Sequence, residues 1–113
     1  RGLGDVYKRQ FLNIAGGLKV NDPAIDLAVI SAILSSSLDI SIEPGISMCG
    51  EVGLSGEIRP VNRIEQRILE AEKLGFSRII IPHNNLKGFD TSKCKMQIVQ
   101  VRKVEEAFRQ LFG

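Results

Sequence analysis

A hydrolase built on serine, histidine and an acid would have to use His83, the only histidine in the chain. An imidazole is the side chain that ordinarily titrates near neutral pH and can carry the nucleophile's proton. His83 lies in a Pro82–His83–Asn84–Asn85 stretch, and a lone loop histidine is ordinarily a solvated one. No serine stands in a Gly-x-Ser-x-Gly turn, the strained elbow that exposes such a nucleophile. No His-Glu-x-x-His or carboxylate cluster suggests a metal, and Cys49 and Cys94 are too far apart in sequence for a Cys-x-x-Cys site. The phosphate-cradling pattern Gly-x-x-x-x-Gly-Lys-Ser/Thr is absent. Gly16–Gly17 and the glycines between Gly50 and Gly56 do not open a helix, so they read as bends and turns. The residues therefore imply no cofactor in this chain.

Binding chemistry is better represented, by the cations Lys19, Arg59, Arg63 and Arg67. Arg63 and Arg67 are four residues apart, a spacing that puts both on one helix face, where they could meet phosphate oxygens. Glu65, Glu70 and Glu72 stand close enough in sequence to neutralise them, and the ordinary reading is a solvated, mixed-charge surface. The formal net charge of +2 adds no support for a nucleic-acid partner. Arg1, Lys8, Arg9 and Asp5 account for it, and residues 11–113 are balanced.

The elements that must position these groups follow from pattern. Phe11–Ala15 reads as a strand ended by Gly16–Gly17. Asp22–Pro23 is a helix start, with aspartate as cap and proline at the first helical position. The helix from Ala24 is apolar around nearly its whole circumference to Leu34, which predicts burial on most sides or a packed partner. Ile46–Val52 is expected to be one strand, turning through Gly53–Gly56 into Glu57–Arg59 as a hairpin. Residues 63–75 have Ile64, Ile68, Ala71 and Leu74 at helical spacing, with Asn62 as the expected N-cap and Gly75 as the stop. Strands are expected at Ser77–Ile81 and Met96–Val101, with a last helix over Val104–Phe112. This order predicts an α/β class: a mixed α+β sheet with packed helices. No apolar run reaches the roughly 18 residues that cross a bilayer, so no membrane partner is expected, and two lone thiols fit a reducing cytoplasm.

The opening RGLGDVYKRQ joins poorly to the FLNIAGG segment after it. Residues 1–10 read as a translated sequencing-adapter end or a disordered basic arm, and the domain is expected over residues 11–113.

Three blocks then carry a resemblance: GGLKVNDPAIDLAV (Gly16–Val29), GEVGLSGEIRPVNRIEQRILEAEKLGF (Gly50–Phe76) and IIIPHNNL (Ile79–Leu86). The chain resembles the C-terminal, Lon-protease-like domain of the RadA (Sms) family of bacterial DNA-repair proteins, over essentially all of residues 11–113. The resemblance implies a Lon-proteolytic-domain-like fold. Lon peptidases use a serine–lysine dyad, and the matching positions here hold Ala24 and Glu65. A methyl group cannot attack a carbonyl, and a carboxylate cannot replace the lysine. The resemblance thus implies a non-catalytic assembly and DNA-handling domain of an ATP-dependent recombination (branch-migration) protein. DNA and further copies in a hexameric ring would be its partners. ATP, Mg and Zn would belong to upstream modules outside this chain. The alternative is a Lon-like ATP-dependent serine peptidase with a displaced dyad, for which Lys19 and Ser31 are the nearby pair; Ser31 is expected on the helix surface.

Overall fold

In the computed structural model, residues 23–42, 44–86, 92 and 94–112 are described. The strand expected at 11–15, the Asp22 cap and Lys19 lie outside them. A single 3-10 turn, Pro23–Ile25, leads into helix α1, Asp26–Leu38. Strand β1 (Ile46–Met48), strand β2 (Glu51–Val52) and strand β3 (Ile58–Arg59) follow. Helix α2 (Ile64–Lys73), strands β4 (Arg78–Pro82) and β5 (Gln97–Val101) and helix α3 (Val104–Phe112) complete the order.

The sheet order is β1-β4-β5, all parallel, beside a separate two-stranded antiparallel ladder of β2 and β3. The expected α/β class, with parallel and antiparallel strands and packed helices, is the observed one. The central strand explains itself. A parallel strand covered on both faces cannot alternate with polar residues, so it is a continuous apolar run. Ile79, Ile80 and Ile81 in β4 are each 1% exposed or less. Successive side chains point to opposite faces. Ile80 joins Leu27, Ile30 and Leu34 of α1 and Phe108 and Leu111 of α3 in one core. Ile79 and Ile81 join Ile64, Ile68 and Ala71 of α2 in the other. Two layers of helix thus sandwich one short sheet.

The segment Ile46–Val52 is not one strand. It splits at Cys49–Gly50, because Gly50 is tied to the start of α1 and not to a strand neighbour. Its N–H donates to the Ala24 carbonyl (2.9 Å), and its carbonyl accepts from Leu27 N–H (3.1 Å). A Cβ at Gly50 would stand 2.8 Å from Ile58 Cγ2, so the close approach requires glycine. Only β2 and β3 form the hairpin, turning through Gly53–Gly56 as expected.

Burial of α1 also differs from the expectation. Leu27, Ile30, Ser31 and Leu34 are buried, whereas Ile25 is 42% and Ile33 37% exposed. Among the described residues its apolar circumference is covered on one side. Ser31 is not on the surface: it is fully buried, and its hydroxyl has no hydrogen-bond partner among the described residues.

Candidate functional site

Helix α2 brings the candidate cations together. Its amphipathic pattern buries Ile64, Ile68 and Ala71 against the sheet and leaves the intervening polar residues outside. Arg67 N–H donates to the Arg63 carbonyl (3.1 Å), which places the two arginines one turn apart. Both line a groove of about 470 Å³ between α2 and the β1 edge, whose apolar wall includes Leu74 and Phe76. Arg63 also lines a second, similar groove with Glu65, Asn84 and Asn85.

The start of α2 is held in an unexpected way. Asn62 does not cap it. The residue at the cap position is Arg63, in the left-handed region at φ 56°, with no side-chain cap hydrogen bond. That conformation costs a non-glycine residue about 1–2 kcal/mol, so the surroundings must impose it. Two contacts do so. Asn85 clamps the preceding backbone, accepting from Val61 N–H (2.8 Å) and donating to the Val61 carbonyl (3.1 Å). Arg67 Nε donates to the Asn62 carbonyl (3.0 Å), and one Arg67 Nη donates to Asn62 Oδ1 (3.2 Å). The Arg67 guanidinium is thereby oriented with donors to spare. Sequence reasoning missed Asn85. A doubled asparagine after the Ile79–Pro82 run was visible, but its partner lies 24 positions earlier.

The other candidates separate from this pair. Arg59 donates to Glu57 Oε2 (2.8 Å) and lies 3.8 Å from Glu51 Oε2. The Glu57 carboxyl is held below its ordinary value by its own backbone N–H and then by Arg59. Arg59 therefore serves the hairpin and lines neither groove. Among the described residues no carboxylate forms a salt bridge with Arg63 or Arg67. Glu72, one of the expected neutralisers, instead accepts from Lys95 N–H (2.7 Å). Ala24 is buried, its carbonyl occupied by Gly50, while Glu65 is exposed at the second groove. His83 Nε2 lies 3.0 Å from an Arg102 Nη. A guanidinium only donates, so this nitrogen's lone pair is engaged. Cys49, near Arg67, is pushed up to about 11 by burial, with the Arg67 charge pulling it back slightly. Among the described residues no group of three histidine, cysteine, aspartate or glutamate side chains could hold a metal.

Against this geometry the family comparison is decisive. The model of the Lon protease (S16) C-terminal proteolytic domain matches residues 5–113. The chain belongs to the Lon C-terminal proteolytic domain family. Within the Lon-like relatives, it is similar to the DNA repair protein RadA of Bacillus subtilis (strain 168), at 48% identity over 91% of this chain. RadA of Streptococcus pneumoniae (strain ATCC BAA-255 / R6) is 49% identical and RadA of Halalkalibacterium halodurans 42%, each over the same share. The chain spans 22%, 24% and 22% of those three proteins respectively. No described helix is long and apolar enough to cross a membrane.

Proposed function

We propose that this Lon-family domain is a non-catalytic assembly and DNA-handling part of a RadA-type, ATP-dependent DNA repair and recombination (branch-migration) protein of the bacterial cytoplasm. The observation that carries the reading is the pair Arg63 and Arg67 on one groove, with no described carboxylate bridged to either and one of them oriented by Asn62. Guanidinium groups suit phosphate because their planar fork matches its oxygens. The likeness to RadA repair proteins supports DNA as the source of that phosphate. Alanine at position 24 and glutamate at 65, where the Lon resemblance puts serine and lysine, support the non-catalytic part. In this reading Lys19 is a secondary contact while Arg59 stays with its hairpin carboxylates, further copies of the protein form a hexameric ring, and ATP, Mg and Zn belong to modules outside this chain.

The test is DNA binding by the 113-residue chain, titrated against salt, with oligomeric state recorded in parallel. Arg63→Ala with Arg67→Ala is expected to weaken binding and to flatten the plot of log affinity against log salt by about 0.9 per lost duplex phosphate contact. Binding and slope unchanged in the double variant would remove the arginine pair from DNA handling. No binding by the parent chain would leave a scaffold role alone.

A further inference from the structure

Strand β5 borders the sheet, and its outer side is only partly used. Gln97 N–H donates to the Ser77 carbonyl (3.0 Å), and His83 N–H donates to the Val101 carbonyl (2.8 Å). In a parallel pair these bonds turn the backbone groups of residues 97, 99 and 101 toward β4. Ile98, Gln100 and Arg102 therefore turn theirs outward. The Arg102 carbonyl is taken by Ile58 N–H (2.8 Å), beside an antiparallel bridge between Glu57 and Lys103. The hairpin leaves this edge at Pro60, immediately after β3, because proline has no N–H to give. Among the described residues no strand lies beside Ile98 and Gln100. We infer that this edge takes an extended acidic segment of another protein as an added strand, antiparallel to β5 as β3 is.

An open sheet edge is a template for any extended chain, and the side chains at its ends sort the candidates. Lys95 stands at one end of β5 and Arg102 and Lys103 at the other, all three exposed. No described carboxylate forms a salt bridge with them. Glu72 and Glu106, which reach the two ends, are turned to backbone. Glu72 accepts from Lys95 N–H (2.7 Å), and Glu106 Oε1 accepts from Arg102 N–H and Lys103 N–H. The same charges oppose a second copy of this chain. Pairing two β5 strands antiparallel about Val99 joins Ile98 of each to Gln100 of the other, but it also sets Lys95 opposite Lys103 at both ends. Like charges directly opposite destabilise a strand pair, whereas aspartate or glutamate at those places is attracted. Between the ends, a partner's side chains alternate between the two faces of the sheet. One face offers Val99, partly buried at one core, and the other offers Ile98, partly buried at the second. The segment that fits has β-branched residues between acidic ends.

The experiment adds short fluorescein-labelled peptides to the 113-residue chain and reads anisotropy. The first peptide alternates valine and threonine between paired aspartates. The second carries lysines in place of the aspartates, and the third is the first with its valine and threonine N–H groups methylated. The first is expected to bind roughly tenfold tighter than the second, through ion pairs at both ends, and roughly tenfold or more tighter than the third, which cannot donate to the edge. Saturation with the first peptide should slow hydrogen exchange of the Ile98 and Gln100 amides by roughly tenfold. Gln100→Pro removes an outward donor at an edge position where proline is tolerated, and should weaken binding roughly five- to tenfold. Lys95→Glu with Lys103→Glu should reverse the preference in favour of the lysine peptide, a result that does not depend on how the proline variant folds. Equal affinity for the aspartate and lysine peptides, or undiminished binding of the methylated one, would overturn the edge site. Exchange at Ile98 and Gln100 unchanged by bound peptide would do the same, as would no binding of any peptide. Protection of these two amides that rises with protein concentration alone would replace the acidic partner with a second copy.

Discussion

At Cys49 a local property becomes a measurable one. Burial raises this thiol to about 11, so at pH 8 only on the order of one molecule in a thousand presents the thiolate. Cys94 is partly exposed, and both cysteines are free thiols. Iodoacetamide at pH 8 is therefore expected to label Cys94 first, and Cys49 only after denaturant is added. Peptide mass spectrometry distinguishes the two sites. Equal labelling of both in the folded chain would mean that the Cys49 region opens far more readily than its packing implies. The neighbouring Arg67 acts on Cys49 through charge, yet it offsets desolvation too weakly to make this a reactive cysteine.

Among the elements, α3 has the clearest local device. Arg102 N–H and Lys103 N–H both donate to Glu106 Oε1, which satisfies donors that a helix start otherwise leaves open. These bonds, the Arg102 one foremost, hold the Glu106 carboxyl below its ordinary value of 4.5. A depressed folded-state value contributes stability that is present above the unfolded value and is lost as pH falls through the folded one. Glu106→Ala is thus expected to cost about 1 kcal/mol near pH 7. The difference from the parent should shrink below pH 4.5 as the parent's carboxylate takes up its proton. Urea titrations at pH 7 and at pH 3 would measure it, and a cost independent of pH would refute the carboxylate's role. Helix α2 contrasts with α3. Its start has no side-chain cap and relies on Asn85, 24 positions along the chain from the backbone it holds.

Across the whole molecule, stability rests on two cores separated by the β1-β4-β5 sheet. Phe108 is 1% exposed and sits where α3 meets α1 and the sheet. Phe108→Ala is expected to cost about 3–5 kcal/mol, from lost contacts and the cavity left behind. That is a large share of the roughly 5–15 kcal/mol that holds a domain folded, so the thermal midpoint should fall by more than about 10 °C. Ile33→Ala, on the uncovered side of α1, should cost below about 1 kcal/mol. Calorimetry on both variants would check the pair. Similar losses would show that the exposed side of α1 is covered in solution.

Much of the architecture was legible because its causes are local. The apolar run at Ile79–Ile81 marked a strand buried on both faces, Gly75 at φ 94° marked the end of α2, and the period of Val104, Ala107, Phe108 and Leu111 marked α3. The four-residue spacing of Arg63 and Arg67 was enough to place them on one face. The break at Gly50 was not legible, because it is set by Ala24, Leu27 and Ile58 from other parts of the chain. Nor was the fate of each cation: Arg59 met two carboxylates on its own hairpin, while no described carboxylate bridges Arg63 or Arg67. Composition counted these charges as equals. Which of them stay available to a phosphate depends on partners brought close by folding, and sequence spacing alone does not encode those distances.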